Sequence, residues 1–491
     1  MSSLLDAGTW TGKVFTGRWT DSAGGTLQDF EPATGEVLAE VGAANAADVA
    51  DSCAAAAAAQ AQWAATAHAE RAQVMIDAAA ILRRNHEECA EWIMRECGGV
   101  RMKAEVELAD AHQRLLQAAA ITGEPLGQMI PSGFPGRWSF AQRVPVGVVG
   151  VISPFNFPLI LSIRSVAPAL AVGNAVVLKP DARTPISGGY LIARILEEAG
   201  LPPGLLHVLP GEGAEAGAAL VEHPDVAMIS FTGSTPVGRK IGETAGRLLK
   251  KVVLELGGNN PFVVLADADV ELAASAGVWG SFFHQGQICM AAGRHIVHES
   301  IADAYAGALT ATASRLRVGD PFRGDADLGP IIDQHQLQHI DDLVQRSLGQ
   351  GATATTGAEY EQLFYRPTVL VDLGPGSPAY DEEIFGPVAP VTTFTDDEDA
   401  IRLANDSPYG LKAAVHSGSF DHAVEVGRRL VAGAVHINDP TVNDEAVAPF
   451  PAVKASGNLG AFGGHANIEE FTRWQWTTAR DRQVAMPLGA S

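Results

Sequence analysis

The first strong pattern of apolar and polar positions is helical. Between about residues 45 and 122, apolar residues recur every three to four positions among strong helix formers. The segment contains the alanine-rich run AADVADSCAAAAAAQAQWAA and the longer stretch AERAQVMIDAAAILRRNHEECAEWIMREC. Alanine is the best helix former, so the run indicates closely packed helices and not a disordered tract.

From Val144 onward, short apolar runs alternate with helical patterns. The stretches PLILSIRSVAPALAVG and ISGGYLIARILEEAG predict helices. Strands are predicted at VGVVGVIS, AVVLKP, HVLPG, VAMISF and KVVLELGG. This alternation predicts an α/β fold with a parallel sheet that is covered on both faces.

A second alternation begins near Pro261. Strands are predicted at PFVVL, HIVHE, PVAPVTTF, KAAVHS and GAVHIND. The helical patterns between them cover residues 269–284, 301–315, 397–404 and 421–430. A second α/β unit is therefore expected after the first.

Two segments interrupt this rhythm. Residues 127–145 are rich in turn formers, and the tail EEFTRWQWTTARDRQVAMPL alternates apolar and polar residues like an edge strand. Because an exposed edge strand invites aggregation, we expect these segments to pair with each other or with a neighbouring subunit.

Composition excludes several classes of protein. The formal charge of −23 over 491 residues opposes binding to nucleic acid or to anionic membranes. The beginning MSSLLDAGTWTGKVF lacks the pattern of a signal peptide, and no uncharged apolar stretch reaches membrane-spanning length. We therefore expect a cytoplasmic protein with no nucleic-acid or membrane partner.

The four cysteines fall into two groups. Cys53, Cys89 and Cys97 lie in helical patterns, where a small buried apolar side chain is the expected role. No cysteine or histidine spacing is typical of zinc, and no metal is predicted. Cys289, in FFHQGQICMAAGRH, lies among small and polar neighbours and suits a nucleophile, whose thiol pKa the environment must lower.

Two further side chains complete a candidate site. Glu255 ends the strand KVVLE, so burial would raise its pKa towards that of a general base, although a solvated strand-end glutamate fits equally. Asn156, between two prolines in SPFNFP, offers an amide donor for an oxyanion, or else satisfies its own turn. Cysteine plus glutamate alone is a weak signal.

A helix start follows the strand VAMISF. In FTGSTPVG, Ser234 is a candidate N-cap and Pro236 suits the first turn. Free amides at such a start can receive a pyrophosphate. The segment differs from the dinucleotide fingerprint because a threonine replaces its second glycine.

Taken together, these segments resemble the aldehyde dehydrogenase superfamily from about residue 10 to 480. The resemblance is carried, in family order, by SPFNFP, GNAVVLKP, FTGSTPVG, LELGGNNP, GQICMAAGR, EEIFGP and NDSPYGL. It implies a Rossmann-like cofactor-binding domain (1–126 and 144–256), an α/β catalytic domain (257–455) and a small β oligomerisation arm (127–143 and 466–491). A homodimer or homotetramer is the implied assembly.

The resemblance also implies roles. Cys289 would attack the aldehyde, the Asn156 amide and the Cys289 backbone amide would hold the oxyanion, and Glu255 would activate the water that releases the acid. Coenzyme-A-acylating relatives generally lack this glutamate, so hydrolysis is implied. NAD(P) would be held by Ser153, Pro154, Phe155, Lys179, Asp181, Arg183, Gly233, Ser234, Leu256, Glu383 and Phe385.

The preferred cofactor is open from sequence. Many NAD-preferring members carry a glutamate where this chain has Ala182, and Arg183 beside it could pair with a 2′-phosphate or simply face solvent. We lean slightly towards NAD.

The variant PFPAVKASGNLGAFGGHANIEEFT is similar to that of the benzaldehyde, vanillin and salicylaldehyde branch. There, Phe157, Arg164, Ile288, Met290 and Phe450 are expected to line a pocket for an aryl aldehyde. Arg164 is either at the pocket mouth or on a helix surface. The alternatives to aromatic-aldehyde oxidation are oxidation of an aliphatic aldehyde or semialdehyde and a catalytically silent nucleotide-binding protein.

Overall fold

The computed structural model describes residues 3–484 and 488, and its first half is built on a seven-stranded sheet. Five strands between residues 148 and 255 run parallel, as the apolar runs predict. The sequence did not predict the antiparallel N-terminal hairpin at one edge. From edge to edge the strands are Lys251–Glu255, Val226–Thr232, Val148–Ile152, Ala175–Lys179, Leu206–Val208, Lys13–Phe15 and Trp19–Asp21.

Helices cover this sheet on both sides. The alanine-rich helix Ala46–Ala65 begins with a capping box formed by Asn45 and Asp48, and it buries Cys53 and Trp63. Pro158–Ala171 is buried along its whole length. The helices are Ala7–Trp10, Ala46–Ala65, His68–Arg84, His86–Cys97, Arg101–Ile121, Pro158–Ala171, Leu191–Glu198, Ala218–Glu222 and Thr235–Arg247, with π-helical turns at Ile186–Tyr190 and Gly213–Gly217.

A second seven-stranded sheet organises residues 260–437. All its strands are parallel except Thr353–Thr356. Their order is Thr353–Thr356, Thr368–Val371, Val388–Phe394, Ala292–His298, Asn260–Val264, Lys412–His416 and Ala434–Ile437. The helices are Val270–Phe282, Ala302–Ala313, Gln334–Gly349, Pro378–Asp381, Asp397–Asn405 and Phe420–Gly427, with a short 3₁₀ turn at Phe283–Gly286.

The arm is a separate three-stranded antiparallel sheet. Thr472–Arg480 pairs with Arg137–Pro145 along nine residues, and Arg137–Pro145 also pairs with Gly127–Met129. The prediction that the two interrupting segments pair with each other is confirmed. Residues 127–145, expected to be mainly turns, contain two of the three strands.

The C-terminal strand of this sheet begins later than residue 466, the predicted start of the arm. Ala466–Phe471 forms a helix, and its Ile468 and Phe471 are buried in the core of the first unit. The edge strand therefore begins at Thr472. Residues 1–2 of the predicted cofactor-binding domain and 485–487 and 489–491 of the predicted arm lie outside the described residues.

Three two-stranded hairpins complete the fold, and one of them reaches the cavity described below. They are Thr26–Phe30 with Val37–Gly42, Tyr360–Glu361 with Phe364–Tyr365, and Phe450–Pro451 with Ala461–Phe462, beside a 3₁₀ turn at Lys454–Ser456. Within the part of the chain that the structure describes, no helix combines the length and apolar character needed to cross a bilayer.

Candidate active site

The predicted site residues converge at the carboxyl edge of the first sheet. Ile152 lies beside Lys179 on one side and beside Phe231 on the other, and Thr232 lies beside Glu255. The segments that follow these strands therefore share one edge, where open α/β sheets bind ligands.

Cys289 lies in a sharply turned loop after the helix Val270–Phe282. His284 and Gln285 adopt positive φ angles of 49° and 54°, which reverse the chain before the cysteine. The buried Asn260 amide then donates to the carbonyls of Cys289 and Ala291, each at 2.8 Å. A Cβ at Gly258 would collide with the Cys289 carbonyl oxygen, so only glycine allows this approach.

Asn156 is joined to the same loop. Its buried side-chain amide donates one hydrogen bond to the Gln287 carbonyl at 2.8 Å. An amide has two N–H donors, so one remains for a further partner. The structure thus places Asn156 and Cys289 together on the wall of one cavity.

That cavity has a volume of about 240 Å³ and is lined mainly by apolar side chains. All five residues predicted to contact substrate contribute to it. Trp279 and Phe283, which the sequence did not single out, stack face to face with ring centroids 4.1 Å apart. The lining includes Asn156, Phe157, Ile160, Leu161, Arg164, Trp279, Phe283, Ile288, Cys289, Met290, Val442 and Phe450.

Arg164 is not a helix-surface residue. Its side chain is buried, donates to the Thr232 hydroxyl at 2.7 Å and packs against the rings of Phe450 and Phe462. All 14 residues of the helix that carries it are buried, so no side of this helix faces solvent.

Glu255 is a buried carboxyl with an unusual environment. Only 2% of the residue is exposed, and neither carboxyl oxygen has a hydrogen-bond partner among the described residues. Burial raises the pKa of Glu255 to about 8, although Arg164 and Lys412 act in the opposite direction. The carboxyl is therefore poised near neutral pH, as expected for a general base.

Burial has the same effect on the nucleophile candidate. It raises the pKa of the Cys289 thiol to about 12, while nearby Arg164 opposes the rise and Glu383 and Glu255 add to it. The expectation of a lowered thiol pKa is wrong for this structure, because desolvation outweighs the nearby cations. Cys53, Cys89 and Cys97 are buried in the first core, as predicted.

Several charged side chains lie near Lys179 at the carboxyl edge of the first sheet. Arg183 donates to Asp181 through Nε at 2.8 Å and to Asp333 through a terminal nitrogen at 2.7 Å. Its guanidinium also lies 4.2 Å from the centre of the Phe155 ring. Burial alone would raise the pKa of Asp181, but the Arg183 hydrogen bonds and charge bring it below the usual value. Arg183 is therefore neither free nor simply solvent-facing.

Glu383 and Phe385 approach this edge from the second unit. The Gly258 amide donates to Glu383 Oε1 at 2.8 Å, and a Cβ at Gly257 would collide with the same carboxyl. Burial raises the pKa of Glu383 to about 7. Phe385 contacts Phe155 edge to face, with centroids 6.0 Å apart. The first and second α/β units therefore contact each other at the carboxyl edge of the first sheet.

The predicted helix start is present at Thr235–Arg247. Ser234 is the N-cap residue but makes no side-chain cap bond, and the Gly233 amide donates to the Glu255 carbonyl at 3.0 Å. Leu256 packs under the helix, where a Cβ at Gly238 would collide with it. Beside it, Ser153 accepts from Ser162 at 2.7 Å, and Pro154 is half-buried.

The chemistry of this edge fits a dinucleotide. The amides at the start of Thr235–Arg247 suit a pyrophosphate, and the Lys179 amine and the Glu383 carboxyl suit ribose hydroxyls. Contact with NAD(P) stays a prediction for the whole predicted set, which comprises Ser153, Pro154, Phe155, Lys179, Asp181, Arg183, Gly233, Ser234, Leu256, Glu383 and Phe385.

Some site residues gave no recognisable signal in the sequence. Asp110 lies within a long helix, and Asn443 and Asp444 lie in a loop without periodicity, yet all three line the cavity. Phe283 lies in the stretch just before Cys289, and Asn260 lies in the motif LELGGNNP. The proximity of both residues to the site could therefore have been inferred from the sequence.

A cysteine and a buried carboxyl between two α/β units, beside a nucleotide-fitting sheet edge, define a dehydrogenase with a cysteine nucleophile. The chain belongs to the aldehyde dehydrogenase family, whose model matches residues 19–477. The predicted family and fold are confirmed, and the chain is an NAD(P)-dependent aldehyde dehydrogenase.

Individual relatives agree closely over the full length. A vanillin dehydrogenase from an Amycolatopsis species is 53% identical over 487 residues, covering 99% of this chain and 100% of that protein. A benzaldehyde dehydrogenase [NAD(+)] from Pseudomonas putida is 48% identical, covering 98% of each. The crystal structure of betaine aldehyde dehydrogenase from Staphylococcus aureus in complex with NAD+ has a TM-score of 0.95 at 30% identity, covering 99% of each chain.

Proposed function

We propose that this enzyme oxidises an aromatic aldehyde to its carboxylic acid with NAD+. The observation that carries the proposal is the cavity that contains Cys289, whose walls include Phe157, Phe450 and the Trp279–Phe283 stack. Flat aromatic and aliphatic walls of this kind suit an aryl ring. The vanillin and benzaldehyde dehydrogenase relatives support the same substrate class.

In this proposal, Cys289 Sγ bonds to the aldehyde carbon as the thiolate. Because the thiol pKa is high, the thiol first transfers its proton to solvent water, and the nearby Arg164 charge favours the resulting thiolate. The remaining N–H of the Asn156 amide and the Cys289 backbone amide would stabilise the negative oxygen. The chemistry that a bound nicotinamide supplies is acceptance of a hydride from that carbon, which leaves a Cys289 thioester.

Glu255 then completes the proposed cycle. In its ionised form it takes a proton from water, and the resulting hydroxide attacks the thioester carbon. The carbon–sulfur bond breaks, the acid leaves and the sulfur returns as thiolate. A carboxyl with a pKa of about 8 is partly ionised at neutral pH and is a stronger base than an ordinary glutamate.

NAD+ is the cofactor we propose over NADP+. The Arg183 guanidinium is already occupied by Asp181 and Asp333. A 2′-phosphate at this position would face these two carboxylates and would have to displace one to reach the arginine. Activity measured with both cofactors should give a higher kcat/KM with NAD+, and a preference for NADP+ would refute this choice.

The substrate class is tested by a panel of aldehydes with purified enzyme. Initial rates of NADH formation with benzaldehyde and vanillin should exceed those with hexanal and succinic semialdehyde. The reverse order would instead support the aliphatic alternative.

Cys289→Ala should abolish oxidation while NAD+ binding persists, and near-native turnover of that variant would overturn the proposed role of Cys289.

We also propose that the arm sheet joins copies of this chain into a homodimer or homotetramer. Among the described residues, its edge strand Thr472–Arg480 pairs with a single other strand, and it carries Trp474 and Trp476, which are 54% and 64% exposed. Exposed tryptophans on an open sheet edge are typical of an interface.

The cytoplasmic location stays a prediction, which fractionation of the source cells would check.

A further inference from the structure

The substrate cavity has a charged end that the oxidation chemistry does not use. Asp110 and Asp444 line the same cavity as Cys289, among otherwise mostly apolar walls. They come from distant parts of the chain and are joined by Arg114, which donates to Oδ2 of each carboxylate at 2.6 Å. Only 5% of the Arg114 side chain is exposed, so this bridge is a built part of the cavity wall.

Each carboxylate keeps one oxygen available. Oδ1 of Asp110 and Oδ1 of Asp444 make no hydrogen bond to any residue that the structure describes, whereas Oδ2 of each is taken by Arg114. Ionised carboxylates accept hydrogen bonds and donate none. The cavity therefore presents acceptors at this end, and a ligand that reaches them must bring a donor.

A second observation also points to a ligand. Arg164 lines the same cavity, is 3% exposed, and its Nε atom has no hydrogen-bond partner among the described residues. Unsatisfied buried polar atoms cost free energy, so a wall that carries them favours a ligand with polar groups over a fully apolar one.

We propose that Asp110 and Asp444 form a subsite that accepts a hydrogen bond from a hydroxyl group on the ring of the aromatic aldehyde. The inference rests on the proposed function and narrows its substrate class to hydroxylated benzaldehydes. The aldehyde carbon lies at Cys289, and the ring lies between the aromatic walls. A methyl group in place of the hydroxyl offers no donor to the free Oδ1 atoms of these carboxylates. A site that is built to bind a hydroxyl discriminates strongly against such an analogue.

The test compares matched substrates in matched variants. The kcat/KM values of 3- and 4-hydroxybenzaldehyde are divided by those of 3- and 4-methylbenzaldehyde for the wild-type enzyme, Asp444→Ala, Asp444→Asn and Asp110→Asn. Glu445→Gln is the control, because Glu445 is the exposed acidic neighbour of Asp444. A general loss of activity lowers kcat/KM for the hydroxyl and the methyl substrate alike, so it cancels in their ratio. Thermal melting reports whether each variant is folded.

We expect the wild-type ratio to exceed one for at least one hydroxyl position. Asp444→Ala should lower that ratio about tenfold or more, as for loss of a hydrogen bond to a charged group. Asp444→Asn and Asp110→Asn should lower it less, and Glu445→Gln should leave it unchanged. A ratio that stays constant in all folded variants overturns the subsite but leaves the proposed function standing. If the wild-type enzyme oxidises no aromatic aldehyde, the proposed function itself fails.

Discussion

At the scale of single residues, the same burial that shapes the site shifts both of its reactive groups towards the neutral form. Glu255 and Cys289 are each desolvated, and the cations that oppose this effect are Arg164 and Lys412. Lys412 is itself buried, with its amine 4.4 Å from the centre of the Phe450 ring. A positively charged wall therefore tunes both groups at once.

The pH dependence of turnover should report Glu255. Water activation needs the ionised carboxylate, so where hydrolysis of the thioester limits the rate, kcat should rise with pH through a midpoint near 8. Glu255→Gln should remove that rise and slow the steady state more than the burst of NADH. A kcat profile that keeps its midpoint in the variant would contradict the assignment.

Removal of Lys412 should shift the same profile. In Lys412→Met, loss of the ammonium raises the pKa of both Glu255 and Cys289, so the rise in kcat and the rate of Cys289 alkylation by iodoacetamide should both move to higher pH. Lys240→Met, which changes an exposed lysine, is the control and should leave both profiles in place. Unshifted profiles in Lys412→Met would rule out the electrostatic role.

At the scale of elements, close backbone approach fixes the cysteine loop. Gly258 contacts the Cys289 carbonyl so closely that Gly258→Ala must displace the loop. We expect a loss of kcat/KM of at least about 100-fold, the scale of a misplacement of roughly 1 Å at reacting groups. Gly246→Ala is the matched control, since a Cβ there meets nothing within 4 Å on an exposed helix face and activity should persist. Equal activity of the two variants would contradict this view of the loop.

The helix that follows Asn156 depends on a buried ion pair. Glu107 accepts hydrogen bonds from the amides of Leu159 and Ile160 at 2.8 and 3.2 Å, and it pairs with the fully buried Lys103. Glu107→Ala should lower the free energy of unfolding by about 3 kcal/mol or more, because it leaves a buried charge unpaired. Denaturant melts would measure this loss, and Glu105→Ala, which removes a half-exposed pair with Arg101 on the same helix, should change stability by less than about 1 kcal/mol. Similar melts for the two variants would refute the expectation.

Elements with strong apolar runs were predictable, and those without them were not. Most parallel strands of both sheets follow short apolar runs, which buried strands require, although the parallel strand Thr368–Val371 was not predicted. The three-residue strands Lys13–Phe15 and Trp19–Asp21 are too short to show a period. Gln334–Gly349 was missed although Leu337, Ile340 and Val344 follow a helical spacing, because many polar residues surround them. Sequence motifs located Cys289, Glu255 and Asn156, but the Asp110–Asp444 pair arises from tertiary contact alone.

At the scale of the whole molecule, the arm sheet is the surface that we propose joins copies of this chain. Trp474 and Trp476 alternate with intervening residues and so share one face of the edge strand. Trp476→Glu places a charge on that face and should reduce the molar mass measured by light scattering after size exclusion. An unchanged mass would show that the assembly, if present, uses another surface.

One stretch of chain connects the three parts of the molecule. It begins at Phe450 in the cavity wall. Its Asn458 side chain and Ser456 carbonyl then accept hydrogen bonds from the amides of Leu254 and Leu256, on either side of Glu255. It continues through the buried Phe471 into the arm strand. Removal of the arm strand is therefore expected to affect more than the proposed assembly. It should also loosen the segment that joins Phe450 in the cavity wall to the backbone on either side of Glu255.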